Sequence, residues 1–139
     1  MSVYALDSNI ISFYLKGNTA VIENIEKAIV EDQKIVIAPI SYYEVKRGLL
    51  LINASKQLSK LEILCQLFPV GKLDDYLLED AIKLYVEERK AKRNTEDADI
   101  FIAVFCLRNN YTLVTDNTKH FQNINGLKIE NWRREKYAD

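Results

Sequence analysis

The segment Lys34 to Ala38, KIVIA, constrains the fold more than any other stretch of the chain. It is a short β-branched run without polar alternation, so a strand made from it is covered on both faces, as in a buried parallel sheet. Ser2 to Leu6, Thr112 to Thr115 and Leu127 to Glu130 are runs of similar size, and Phe68-Pro69-Val70 is a short connecting strand. Between these runs the apolar residues recur at helical spacing. A short helix over Ile10 to Leu15 ends at Gly17-Asn18. Thr19 to Glu31 follows, with Thr19 as N-cap and Val21, Ile22, Ile25, Ala28 and Ile29 in period. Ser41 to Ile52 is a third helix, and after the turn Asn53-Ala54-Ser55 a fourth places Leu58, Leu61, Leu64, Cys65 and Leu67 on one face. Asp74 to Lys92 turns Leu77, Leu78, Ala81, Ile82 and Tyr85 inward, and Asp97 to Asn109 is apolar enough from Ile100 to Leu107 to be buried on most sides. Strands alternating with helices predict a single α/β domain, residues 1–139, around a mainly parallel sheet. A chain of 139 residues buries a core without disulfide or metal staples.

Charge narrows the function. Nineteen Lys and Arg against twenty Asp and Glu exclude a general basic coat, so any nucleic-acid contact comes from local clusters. Cys65 and Cys106 lie outside any CxxC or Cys/His cluster, which fits reduced thiols in a cytoplasmic protein. No segment approaches the uncharged length of a membrane span, and the N-terminus lacks the basic and apolar regions of a secretory signal. No Gly-rich phosphate loop is present, which disfavours dinucleotide and P-loop functions.

Ligands of open α/β sheets bind beyond the carboxyl ends of the strands, and four acids fall there. Asp7 ends the first strand, Glu44 and Asp99 lie near helix starts, and Asp116 ends the TLVT strand. Carboxylates gathered in one cleft repel one another and call for a cation. Oxygen ligands suit Mg²⁺ or Mn²⁺, and such an ion supports phosphodiester hydrolysis. Each acid also has a plainer use. Ser41-Tyr42-Tyr43-Glu44 matches a capping box with Glu44 at its third position, leaving Glu44 open between cap and catalyst. Asp97 is the expected N-cap of the helix it opens, and Asp99 in the first turn is favoured by the helix dipole. Asp99 is nevertheless flanked by Ala98, Ile100 and Ile102, where an unpaired carboxylate is costly. Asp7 and Asp116 also suit turns. Their joint placement at one edge is the informative observation.

The basic cluster Arg89, Lys90, Lys92 and Arg93 either grips an RNA backbone or compensates a helix C-terminus; Lys46 and Arg47, one turn from Glu44, form a second candidate patch. Tyr42 and Tyr43 are available for packing or base stacking, and His120, the only histidine, is expected to be simply exposed.

Four segments carry a family resemblance: Tyr4-Ala5-Leu6-Asp7-Ser8-Asn9-Ile10, Ile40 to Gly48 (ISYYEVKRG), Asp97 to Ala103 (DADIFIA) and Thr112-Leu113-Val114-Thr115-Asp116-Asn117. Together with the tail Phe121 to Trp132 they resemble PIN-domain proteins, specifically toxin ribonucleases of the VapC type. The resemblance implies an α/β/α sandwich whose acids hold Mg²⁺ or Mn²⁺ and cut RNA, a VapB-like antitoxin partner and a homodimer. By position, Asp7 and Asp99 match the main metal-holding aspartates and Glu44 the acid of the second motif. The family's fourth acid falls at Asn117, one residue beyond Asp116, so either can fill that role and occupancy of a second metal is open; Asn117 joins the RNA-binding candidates. The apolar surplus of Tyr42, Tyr43 and Leu49-Leu50-Leu51-Ile52 also predicts a covered surface. The rival readings are a PIN-like module that only binds protein, against which the retained Asp7, Glu44 and Asp99 weigh, and a dehalogenase-type phosphatase, which needs an Asp where this chain has Asn9.

Overall fold

The computed structural model describes residues 2–133; the expected domain bounds, 1 and 139, lie outside the described residues. Strand β1 (Val3–Leu6) leads directly into α1 (Ser8–Leu15), and α2 (Thr19–Val30) returns the chain to β2 (Lys34–Ile37). Four helices follow, α3 (Pro39–Leu51), α4 (Ser55–Leu67), α5 (Leu77–Lys90) and α6 (Asp97–Asn109). Strand β3 (Thr112–Val114), the short α7 (Thr118–Phe121) and β4 (Ile129–Glu130) complete the order. The four strands are all parallel, in the order β2-β1-β3-β4.

Side-chain alternation along the strands divides the interior in two. Leu6, Ile35, Ile37 and Val114 join Ile10, Ile11, Val21, Ile25, Leu61 and Leu64 on one face. Ala5 and Leu113 join Leu77, Ala81, Leu84, Ile100 and Ala103 on the other. The sandwich is therefore helices, sheet, helices. Strand β2 lies at an edge rather than in the middle of the sheet, and the expected strand at Phe68-Pro69-Val70 is a single parallel bridge from Val70 to Ile37. Beside it, Gly71 packs on the Phe105 ring with no space for a β-carbon, which explains a glycine at that position.

Four expectations about helix ends and faces are corrected. Helix α3 begins at Pro39, with its first turn uncapped by any side chain, so Ser41-Tyr42-Tyr43-Glu44 is not a capping box and Glu44 stands in the second turn. Proline at the first helical position, where the missing N–H has no intrahelical partner, sets that start. Asn18, not Thr19, caps α2 by accepting from the Val21 N–H at 3.1 Å, and Glu96 rather than Asp97 holds the N-cap position of α6, without a side-chain bond. Helix α5 buries Leu77, Ala81, Leu84 and Glu88, whereas Leu78, Ile82 and Tyr85 face outward, Leu78 60% exposed.

Candidate active site

Leu6 pairs with both Ile37 and Val114, so β1, β2 and β3 end level with one another. Residues that follow these strands consequently meet at one edge. Asp7, immediately after β1, is only 3% exposed and caps α1, its Oδ1 accepting from the Ser8 N–H at 2.7 Å. Thr115, immediately after β3, donates its hydroxyl to Asp7 Oδ2 at 2.8 Å. Ser41, one turn into α3, donates to Asp7 Oδ1 at 3.4 Å. Both carboxylate oxygens thus face donors from three elements. Burial nevertheless raises the Asp7 pKa, with the hydroxyl and amide donors pulling it back.

Glu44 is half-buried on the face of α3 that carries Ser41. Burial raises its pKa first, the Asp7 charge second, and Asp99 adds to the rise, while the Ser8 hydroxyl and Arg47 oppose it. Asp99, in the first turn of α6, is raised by burial and then by Asp7, and lowered by His120, whose Nδ1 lies 3.1 Å from Asp99 Oδ2. Glu44 and Asp99 therefore both feel the Asp7 charge, and Glu44 that of Asp99, at the carboxyl edge of the sheet. Among the described residues no Lys or Arg forms an ion pair with any of the three.

Asp116 stands apart from this trio in its bonding. Its Oδ1 accepts from Asn131 at 3.0 Å, its Oδ2 from Arg133 at 3.1 Å, and its N–H donates to Asn9 Oδ1 at 3.1 Å. Asn117 reaches the site through its backbone, donating to Thr115 Oγ1 at 3.0 Å. The basic candidates are largely engaged elsewhere. Arg93 pairs with Glu88; Arg89 donates to the carbonyls of Arg93 and Thr95 and stacks on Tyr85; Lys46 donates to the Tyr42 hydroxyl. Lys90 and Lys92 are exposed, and Arg47 lies over the Tyr43 ring with its charge felt by Glu44.

Thr115 and Ser41 support Asp7 directly and Asn9 does so through Thr115, none of them signalled by the sequence. Thr115 Oγ1 donates to Asp7 and accepts from Asn9 Nδ2 at 3.3 Å as well as from Asn117, so one hydroxyl knots β1, α1 and β3 together. Single Ser, Thr and Asn residues carry no spacing signal, and only the level strand ends bring them to one point. His120 is exposed, as its place in a polar stretch implies, and also contacts Asp99.

The donor set fits a hard divalent cation: oxygen ligands only, mutually repelling, without a protein cation to neutralise them. Among the described residues no three His, Cys, Asp or Glu stand close enough to cage a metal. Mg²⁺ commonly keeps several waters and takes one or two carboxylates from a protein.

A parallel sheet that gathers three acids in this way, with a short helix after β3, defines a class. The PIN domain model matches residues 4–127, and the chain belongs to the PIN domain family. Ribonuclease VapC1 of Methanocaldococcus jannaschii is 35% identical over 95 residues, covering 67% of this chain and 68% of that protein. Ribonuclease VapC1 of Haemophilus influenzae strain R2866 is 26% identical over 95% of this chain and 99% of its own length. Among solved structures, VapBC2 of Rickettsia felis bound to a DNA fragment from its promoter superposes with a TM-score of 0.86 at 26% identity, covering 94% of this chain and 98% of the matched one. VapBC-1 of nontypeable H. influenzae gives 0.82, also at 26% identity, over 95% and 99%.

Proposed function

We propose that this chain is a VapC-type endoribonuclease whose acids hold Mg²⁺ or Mn²⁺, one domain acting in the cytoplasm and neutralised by a VapB-like antitoxin. The observation that carries the reading is the level ending of β1, β2 and β3, which sets buried Asp7 among its donors at the sheet edge of a PIN fold, with Glu44 and Asp99 near enough to feel its charge. Asp7 and Asp99 would hold the ion, with Glu44 reaching it through a water that the ion retains. When bound, it supplies positive charge for the developing phosphodiester anion and a more acidic water. Asp7 is fixed in place by Ser8, Ser41 and Thr115, so its position does not depend on the ion. Glu44, whose pKa is raised by burial and by its acidic neighbours, would accept a proton from the attacking water. Asp116, held by Asn131 and Arg133, takes the fourth position indirectly, by fixing the strand end that carries Thr115, with Asn117 as its neighbour at the cleft.

Relatives of this chain are solved as VapBC assemblies, which supports an antitoxin partner here. Tyr43, Leu50, Leu51 and Ile52 are exposed along α3 and its end, and Leu78, Ile82 and Tyr85 along α5. Apolar surface of this extent supports both a partner and a homodimer. Incubating the purified chain with total RNA, with Mg²⁺ and with EDTA, and mapping the new ends tests the activity. Discrete ends that need Mg²⁺ are expected, and intact RNA in both tubes would refute the reading.

A further inference from the structure

A cleft of about 320 Å³ opens beside Asp99, between the 91–96 loop and α7. That size lies at the small-ligand end of protein pockets. Asn94, Thr95 and Glu96 form one wall, and Lys119, His120 and Asn123 the other. The loop wall is built rather than incidental. Buried Glu88 accepts from Arg93 Nε at 2.9 Å, from Arg93 Nη2 at 2.6 Å and from Thr95 Oγ1 at 2.8 Å. Arg89 then donates to the carbonyls of Arg93 and Thr95, so both neighbours of Asn94 are tied down twice. On the opposite wall, Asp99 holds His120 by Nδ1 and leaves the imidazole more than half exposed. Among the described residues Lys119 has no ion-pair partner.

We propose that this cleft binds one unpaired RNA nucleotide next to the bond that is cut, its phosphate on Lys119, its base stacked on His120 and its base edge against Asn94 and Asn123. The inference rests on the nuclease reading of the acid cluster. A free anion is a poor occupant because Glu96 and Asp99 share the cleft. A nucleotide suits the mixed lining. It brings one negative charge to the lysine, a flat ring to the imidazole and amide-like edges to the asparagines, and Glu96 can accept from an exocyclic amine. A stacked and edge-read base must be unpaired, so the substrate strand is single there. Glu88 acts as a positioning residue that keeps Asn94 in the wall.

The test is fluorescence anisotropy of a short labelled single-stranded RNA in the Asp7→Asn background, where cutting is blocked, with Mg²⁺ present and over a series of salt concentrations. Lys119→Ala should weaken binding and lower the slope of log Kd against log salt by about 0.7, the value of one phosphate contact on a single strand. His120→Ala should weaken binding roughly ten-fold, and His120→Phe, which keeps a stacking ring, should restore it. Lys56→Ala, on α4, serves as the control and should change nothing. Unchanged binding in Lys119→Ala and His120→Ala, or failure of His120→Phe to rescue, would overturn the subsite. A parallel digestion of the same RNA by wild type judges the nuclease reading separately: absence of cutting refutes that reading, whereas cutting with unaltered variant binding refutes the subsite alone.

Discussion

Asp7 accepts hydrogen bonds on both oxygens, and Thr115 is the residue that makes this arrangement rigid. The Thr115 hydroxyl spends its proton on Asp7 and its lone pairs on Asn9 and Asn117, at a position with no exposure to solvent. Thr115→Val keeps the shape but leaves the Asn9 amide and the Asn117 N–H without this acceptor and Asp7 Oδ2 without its donor. Urea unfolding should show a loss of about 1–3 kcal/mol, the cost of buried polar groups left unpaired. RNA cleavage should fall with it, because the carboxylate loses the contact that orients it. Unchanged stability would show that the knot contributes nothing. Ser41, which donates to the same carboxylate at longer range, belongs to the site rather than to a helix cap.

Glu88 shows how an element hides its own logic. On α5 the buried positions run Leu77, Ala81, Leu84 and Glu88, one face with a carboxylate at its end. A second apolar stripe, Leu78, Ile82 and Tyr85, lies alongside, and hydrophobicity alone could not choose between them. The deciding fact is a pair of partners five and seven residues further on: Arg93 and Thr95 satisfy Glu88, so its burial is tolerated. Glu88→Ala should cost about 1–3 kcal/mol, since it removes the acceptor that Arg93 and Thr95 share and frees the 91–96 loop. Glu31→Ala, which removes the exposed i,i+4 partner of Lys27, should cost under about 0.5 kcal/mol. Chemical denaturation of both variants checks the contrast, and equal losses would contradict it. The same limit explains what was legible beforehand. Strand and helix order is legible in periodicity, and the acids in their place at strand ends and helix starts, a rule that takes in Asp116 as readily as Asp7, Glu44 and Asp99. The start of α3 did not, because the Ser41 to Glu44 pattern masked the Pro39 signal, and the supports of Asp7 did not, because they depend on strand register.

At the scale of the molecule, the acid cluster links stability to pH. Asp7, Glu44 and Asp99 all have raised pKa values in the folded chain, so it binds their protons more tightly than the unfolded chain does. Their contribution is fully present below the ordinary carboxylate range, about pH 4, and is lost as pH rises through their elevated values. Glu88 is lowered by Arg93 and works in the opposite sense, losing its contribution as pH falls. Metal-free protein should therefore melt at a lower temperature near neutrality than Asp99→Asn does, with the gap closing toward pH 4 and Mg²⁺ restoring wild type. A constant gap across that range would contradict the coupling. The central claim, that these carboxylates hold the ion that cuts RNA, is tested most directly by cleavage rates of one short RNA at increasing Mg²⁺. Wild type, Asp99→Asn and Glu44→Gln should be compared at equal melting temperature. The account predicts cleavage that requires Mg²⁺ and saturates with it in wild type, and falls at least on the order of a hundred-fold in both variants. Cleavage that persists in EDTA, or Asp99→Asn cutting at the wild-type rate, would contradict it.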